Sequence, residues 1–477
     1  MEFAGVIDPS DLISVKQAIS SAASPEKLVS LDIKHLHIGE NALESMLPIC
    51  HDLLSHHRTI RGNARIMMLS DTVHIRKGTQ SLKQLVHDTL ADSFNVQWCA
   101  LESPTIVKVD DASIRAATDA AEGCDLIVGV GGGSISDIGK LASAAHGGIP
   151  LVHIQTAASV DGYTDNVSVV MRHGVKRTVA SRWPDAVIAD LEVIRDAPLE
   201  LNLAGFGEAL SLFTAPADWE LAHFAGLDDT FHSTPRDLLL AFAKDPRSWA
   251  RGLDKGHPDA VLALTNVLAI RGIGTGIAGT TACLSGVEHL VSHMLDIRAV
   301  ATGNTVGLHG AQVGAASLIG AAAWEYLFQN LEAMSITATP DMALIEADIR
   351  EAFGGFDSTG NLIAECSSDV SRKVESFAEN RDRVARLLDS WREHPQALRA
   401  LVPDLRALAE GLKLSGAPAT AQDLEQWITP EVWEWSIRNC HLMRNRFTVV
   451  DLLFFAGRWT STDTEHVMAL AASALEG

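Results

Sequence analysis

The strongest constraint in this chain is the stretch at residues 126–140, LIVGVGGGSISDIGK. An apolar run from Leu126 to Val130 is broken only by Gly129, and Gly131, Gly132 and Gly133 follow it. Ser134, Asp137 and Lys140 come next, and a helix starting near Ser134 carries Asp137 and Lys140 on one face. Buried strand, glycine turn and helix start, in that order, aim backbone N–H groups and the positive end of a helix dipole at an anion. Glycine also admits positive φ and lets a phosphate approach without meeting a Cβ. The stretch therefore predicts a pyrophosphate cradle for a dinucleotide. It is neither G-x-G-x-x-G nor a Walker A loop, because no G-K-S/T follows.

Around this stretch the hydrophobic pattern alternates strands with helices. Strands are expected at residues 35–39 (HLHIG), 65–69 (RIMML), 96–101, 150–154 (PLVHI) and 186–189. Helices are expected at 41–56, 79–94 and 112–121, after a helical lead-in over 1–30. Such alternation implies a mostly parallel sheet with helices on its faces, and ligands on such sheets bind beyond the carboxyl ends of the strands. Asp71 closes one strand and is placed to bond a ribose hydroxyl. Thr156, Ser159 and Asp161 follow another, where hydroxyls suit a cofactor and a carboxylate suits a substrate hydroxyl. Residues 167–171 and 177–180 read as a hairpin around His173-Gly174.

After residue 196 helical periodicity takes over. Ala197-Pro198 marks the expected boundary between an α/β domain, 1–196, and an all-helical domain, 197–477. Residues 225–260 read as an irregular insertion, and 350–425 as long charged helices facing solvent. The formal net charge of −22 argues against nucleic-acid or anionic-membrane partners, which need a basic surface. No run of about 18 apolar residues suggests a membrane span. The N-terminus, MEFAGVIDPSDL, lacks the basic and apolar regions of a signal peptide. Six cysteines at wide gaps, with no C-x-x-C, fit reduced thiols in a cytoplasm.

The helical half carries three segments of metal-ligand type: GFGE at 205–208, SGVEHLVSH at 285–293 and LHG at 308–310. His289 and His293 share one helix face. Two imidazoles and a carboxylate make a common divalent site with positions left for a substrate oxygen. Spacing alone leaves His293 and His309 as alternatives for the remaining ligand.

Eight ordered segments together resemble the sn-glycerol-1-phosphate dehydrogenase branch of the iron-containing alcohol dehydrogenase and dehydroquinate synthase-like superfamily. They are GGGSISDIGK (131–140), TAASVDGYT (156–164), PDAVIADLEVI (184–194), APLELNLAGFGEALS (197–211), ADWELA (217–222), SGVEHLVSHMLD (285–296), LHGAQVG (308–314) and MRNRFTVVDLL (443–453). The resemblance implies a Rossmann-like domain, then a helical domain, with the active site in the cleft between them. It implies that Gly131, Gly132, Gly133, Ser134, Asp137, Lys140, Thr156 and Ser159 contact NAD(H) or NADP(H). It puts the metal on Glu208, His289 and His309, the substrate on Asp161, and His293 at a substrate-contacting position where it holds a hydroxyl or relays a proton. Zinc is the usual metal of the branch, with nickel or iron elsewhere, and members are commonly dimers or larger.

Three positions depart from the family pattern. Glu208 stands for an aspartate, Asp165 for a serine that contacts the cofactor, and Ala311 for a glutamate that orients a ligand. Asp165 near a pyrophosphate is costly unless paired. The implied reaction is hydride transfer between a dinucleotide and a hydroxy-ketone phosphate such as dihydroxyacetone phosphate. The alternative is a dehydroquinate synthase-like cyclase or lyase that uses bound NAD on the same scaffold. Asp71, by repelling a 2′-phosphate, is expected to favour NAD(H).

Overall fold

The computed structural model describes residues 8–56, 64–103, 106–172 and 175–477. Six parallel strands form one sheet: β1 (His35–Gly39), β2 (Arg65–Asp71), β3 (Asn95–Leu101), β4 (Leu126–Gly131), β5 (Leu151–Gln155) and β8 (Ala186–Asp190). Their spatial order is β1-β8-β5-β4-β2-β3. Between β5 and β8 in the chain, β6 (Val167–Arg172) and β7 (Val175–Ala180) pair antiparallel as a separate ribbon. The expected turn at His173-Gly174 lies outside the described residues.

The continuous apolar runs are explained by burial on both sides. Along β2, Ile66 and Met68 point into one core, with helices Met46–His56 and Leu82–Ala91. Met67 and Leu69 point into the other, with helices Asp111–Ala120 and α1 (Gly133–Ala145). Strand β4 splits the same way, with Val128 and Val130 on one side and Ile127 on the other. A period-two pattern facing apolar layers on both sides reads as an unbroken hydrophobic string. The chain leaves β2 toward β3 and leaves β4 toward β5, so its direction across the sheet reverses between β2 and β4. That reversal puts Asp71 and the three glycines at the crevice where such sheets bind ligands.

From Leu199 onward the chain is helical. Four helices position the side chains of functional interest: α2 (Leu199–Ala225), α3 (Pro258–Ala278), α4 (Val287–Thr302) and α5 (His309–Gln329). Residues 225–260, expected to be irregular, instead hold helices Ser233–Phe242 and Pro246–Ala250 and the start of α3. Asp245 caps the second by accepting from the Arg247 N–H at 2.9 Å, so the Asp-Pro-rich composition marks a helix start.

The chain forms two compact units. One comprises Met1–Gly205, Asp237–Lys244 and Gly252–Gly279, and the other Phe206–Arg236, Asp245–Arg251 and Thr280–Gly477. Helix α3 thus belongs with the sheet, packing on β1 and on helix Leu191–Arg195. It is long and apolar enough to cross a membrane by composition, and 83% of that apolar window is buried.

Candidate functional site

In the sheet unit, Gly132 caps α1, and Gly133 and Ser134 form its first turn. None of the three glycines adopts positive φ. Their value is the missing Cβ: at Gly131 it would sit 2.6 Å from Ile135 Cγ1, and at Gly133 3.0 Å from Val160 Cγ2. The first N–H groups of α1 have no carbonyl one turn earlier to bond.

Asp137 and Lys140 share a face of α1, 3.0 Å apart, but that face turns inward. Lys140 is fully buried. Its ammonium donates to Asp165 Oδ1 at 2.6 Å, to the Gly162 carbonyl at 2.9 Å and to the Val167 carbonyl. Asp137 also accepts from the Val169 N–H at 3.1 Å. Burial disfavours a charged Lys140, but Asp165 and Asp137 outweigh it and raise its pKa. Asp165 is thus paired, as its position requires, and its charge is spent on Lys140.

Two residues that local spacing did not single out lie under the turn. His153 Nε2 meets the Gly131 carbonyl at 3.2 Å, and its ring stacks on Tyr163 with centroids 5.2 Å apart. Burial lowers the His153 pKa to about 3, which keeps the ring neutral. Thr156 is buried and Ser159 half-buried just beyond β5. Asp161 lies 3.4 Å from Arg271 Nη2 on α3. At the end of β2, Asp71 pairs with Lys83 and accepts from the Val73 N–H at 3.0 Å.

In the helical unit, one ligand atom each from Glu208, His289 and His309 lies within 4.8 Å of the others. Glu208 Oε1 is 3.4 Å from His289 Nε2, and Oε2 is 3.8 Å from His309 Nε2. Two donors bound at about 2.1 Å to one tetrahedral ion would be about 3.4 Å apart. The extra methylene of glutamate leaves its carboxylate within reach of both imidazoles. His293 stands beside them, its ring centroid 5.6 Å from that of His309 and 6.3 Å from that of His289.

Both imidazoles are oriented from behind. Glu288 Oε1 accepts from His289 Nδ1 at 2.9 Å, and Glu288 is itself held by the Gly286 N–H and the Thr214 hydroxyl. Ser292 donates to Gln312 Oε1 at 2.8 Å and so accepts from His309 Nδ1 at 2.9 Å. This network turns both Nε2 atoms toward Glu208. Burial works against a charged His289, yet Glu208 and Glu288 raise its pKa to about 9. The two carboxylates favour positive charge at that point.

Glycine explains how α2 and α5 bring Glu208 beside His309. A Cβ on Gly207 would meet the Gly310 carbonyl and lie 3.1 Å from Gly314 Cα. The two backbones are in direct contact there. Asp218 secures α4 nearby, accepting from the Val287 N–H at 3.1 Å, the Val449 N–H at 3.0 Å and Trp324 at 3.1 Å.

The sheet unit thus carries a glycine turn at its strand ends, and the helical unit a Glu-His-His group. Residues 38–198 match the family described as iron-containing alcohol dehydrogenase. Over those residues the chain is similar to that family. It is 28% identical over 427 residues to glycerol-1-phosphate dehydrogenase (NAD(P)+) of Halalkalibacterium halodurans, covering 88% of this chain and 92% of the relative. The protein of the same name from Thermococcus kodakarensis is 32% identical over 234 residues, 49% of this chain and 64% of that one. Among solved structures, a probable glycerol dehydrogenase from Sinorhizobium meliloti matches with TM-score 0.54 at 15% identity, covering 93% of this chain and 98% of that one. An iron-containing alcohol dehydrogenase from Corynebacterium glutamicum matches with TM-score 0.53 at 16% identity, covering 94% and 96%. At such identities these two establish the fold alone.

Proposed function

We propose that the chain is a metal-dependent, NAD(P)-linked dehydrogenase that interconverts a polyol phosphate and its ketone. In this reading it is sn-glycerol-1-phosphate dehydrogenase-like and reduces dihydroxyacetone phosphate. The observation that carries the reading is the convergence of Glu208, His289 and His309, in a chain aligned along most of its length with a relative of that name.

Glu208, His289 and His309 would hold a divalent ion, with zinc the first to test and nickel or iron next. A bound ion supplies Lewis acidity to the substrate oxygen. With an ion bound, Glu288 and Ser292 would hold the Nε2 atoms of His289 and His309 toward it. His293 offers a ring nitrogen for a substrate hydroxyl or a proton. Asp161 accepts from a substrate hydroxyl, and Gly131 to Ser134 present the dinucleotide with backbone donors. Thr156 adds a hydroxyl, and so does Ser159. Asp137, Lys140 and Asp165 hold the shape of that cradle from inside rather than touching the phosphates. Lys83 offsets the charge of Asp71, which weakens repulsion of a 2′-phosphate and supports acceptance of either coenzyme. No disulfide joins the six cysteines, which suits a reducing cytoplasm.

The test is metal analysis of purified protein together with NADH or NADPH oxidation by dihydroxyacetone phosphate. Metal with oxidation is expected. Metal without oxidation would turn the reading toward a cyclase or lyase that recycles bound NAD. His289→Ala is expected to lose the metal, and unchanged metal content would contradict the ligand assignment.

A further inference from the structure

We infer that Arg271, on α3, is a positioning residue that holds Asp161 and the segment after β5 in binding geometry. The inference rests on the proposed reading only in giving Asp161 a substrate to meet. The geometry itself lies wholly within the sheet unit.

Arg271 is only 1% exposed, yet it carries a charge. A desolvated guanidinium is costly to keep unless it is paired. Its Nη2 is 3.4 Å from Asp161 Oδ2, and the Asp161 side chain is 19% exposed. The carboxylate therefore stands at the rim with the cation behind it. The contact is not an isolated meeting of side chains. Ala269, two residues earlier, accepts from the Thr164 hydroxyl at 2.9 Å. Gly272 is pressed so closely on the segment that a Cβ there would strike the Asp161 carbonyl and the Thr164 hydroxyl. Farther along the helix, Asn166 donates to the Gly276 carbonyl at 3.4 Å. One helix thus supports residues 161–166 by backbone, hydroxyl and charge.

The opposite side of the same segment is held by Lys140, through Gly162, Asp165 and Val167. Two buried cations grip it from α1 and α3. Their duties differ. Lys140 answers the inner carboxylates, Asp137 and Asp165, and Asp165 and Asp161 repel each other. Arg271 offsets that repulsion at Asp161. It keeps an acceptor for a hydroxyl at the rim and fixes its direction, which a freely rotating carboxylate would not do.

The experiment compares Arg271→Met and Arg271→Lys in enzyme loaded with metal and coenzyme. Arg271→Met is expected to raise KM for dihydroxyacetone phosphate about tenfold, with a smaller change in kcat and NADH affinity within about twofold of wild type. Arg271→Lys is expected to recover most of that loss. An unchanged KM in Arg271→Met, no recovery in Arg271→Lys, or NADH affinity falling in step with KM, would overturn the inference. If the wild-type protein does not reduce the ketone, the proposed function fails by itself. Arg271→Gln and Asp161→Asn are then combined in an unfolding cycle, which also serves if Arg271→Met does not fold. Coupling of about threefold or more in the folding constant upholds the pair, and additive effects refute it.

Discussion

Gly314→Ala tests whether the contact between α2 and α5 sets the Glu-His-His group. The added Cβ would lie 2.6 Å from Gly207 Cα, 3.4 Å from Gly207 C and 3.5 Å from Leu412 Cδ2. Carbon atoms rest at about 3.5–4.0 Å, so the helices must part by about 1 Å. The obstacle is backbone, and no rotamer change relieves it. Overpacking of this kind costs about 1–3 kcal/mol, or about 2–12 °C in the melting of a unit this size. Glu208 follows Gly207 directly, whereas His309 rides on α5. A 1 Å parting therefore exceeds the tolerance of about 0.2 Å for ligand distances. Metal affinity is expected to fall at least tenfold, measured by chelator competition. Gly320→Ala is the control on the same helix, because its nearest neighbours, Val287 Cβ and Thr214 Cβ, lie at 3.6 and 3.7 Å. It should keep the metal and gain up to about 1 kcal/mol from helix propensity. Full metal affinity and unchanged melting in Gly314→Ala would refute the reasoning.

Glu288→Gln should weaken metal binding about 10- to 100-fold in a competition assay, because His289 loses the carboxylate behind it. Lys140→Met leaves Asp137 and Asp165 buried without their cation. It should cost about 3–5 kcal/mol in denaturant unfolding, with part recovered by adding Asp165→Asn. His153 has a folded pKa of about 3 against an ordinary value of 6.5. The unfolded chain binds that proton first, so stability is full above about pH 6.5 and declines toward pH 3. His153→Gln should make the decline shallower in urea titrations across that window, while His441, also held near 3, preserves part of it.

The sheet was legible because its signals are local: apolar runs of strand length, glycine turns and helical spacing between them. Strand β2 runs to Asp71 rather than Leu69 because pairing with β3 continues to that point. The candidate metal group was only half legible. Spacing joins His289 to His293, one turn apart, but the donors within 4.8 Å come from α2, α4 and the start of α5. Only the order of family motifs linked them beforehand. Glu288 stood in view beside His289, and a carboxylate next to a candidate ligand is a usable signal. Arg271 offered none, because a single arginine in an apolar helix reads as a solvent-facing residue. Lys140 was placed on the correct helix face, but periodicity does not say what that face meets.

The return of α3 to the sheet unit bears on how the protein is made. Synthesis of Gly205 does not complete that unit, because Gly252–Gly279 is still missing. About 70 further residues must be added, which takes about 4–15 s at ordinary translation rates. Until then the nascent sheet waits with the surface meant for α3 open, and a chain truncated after residue 205 is left permanently in that state.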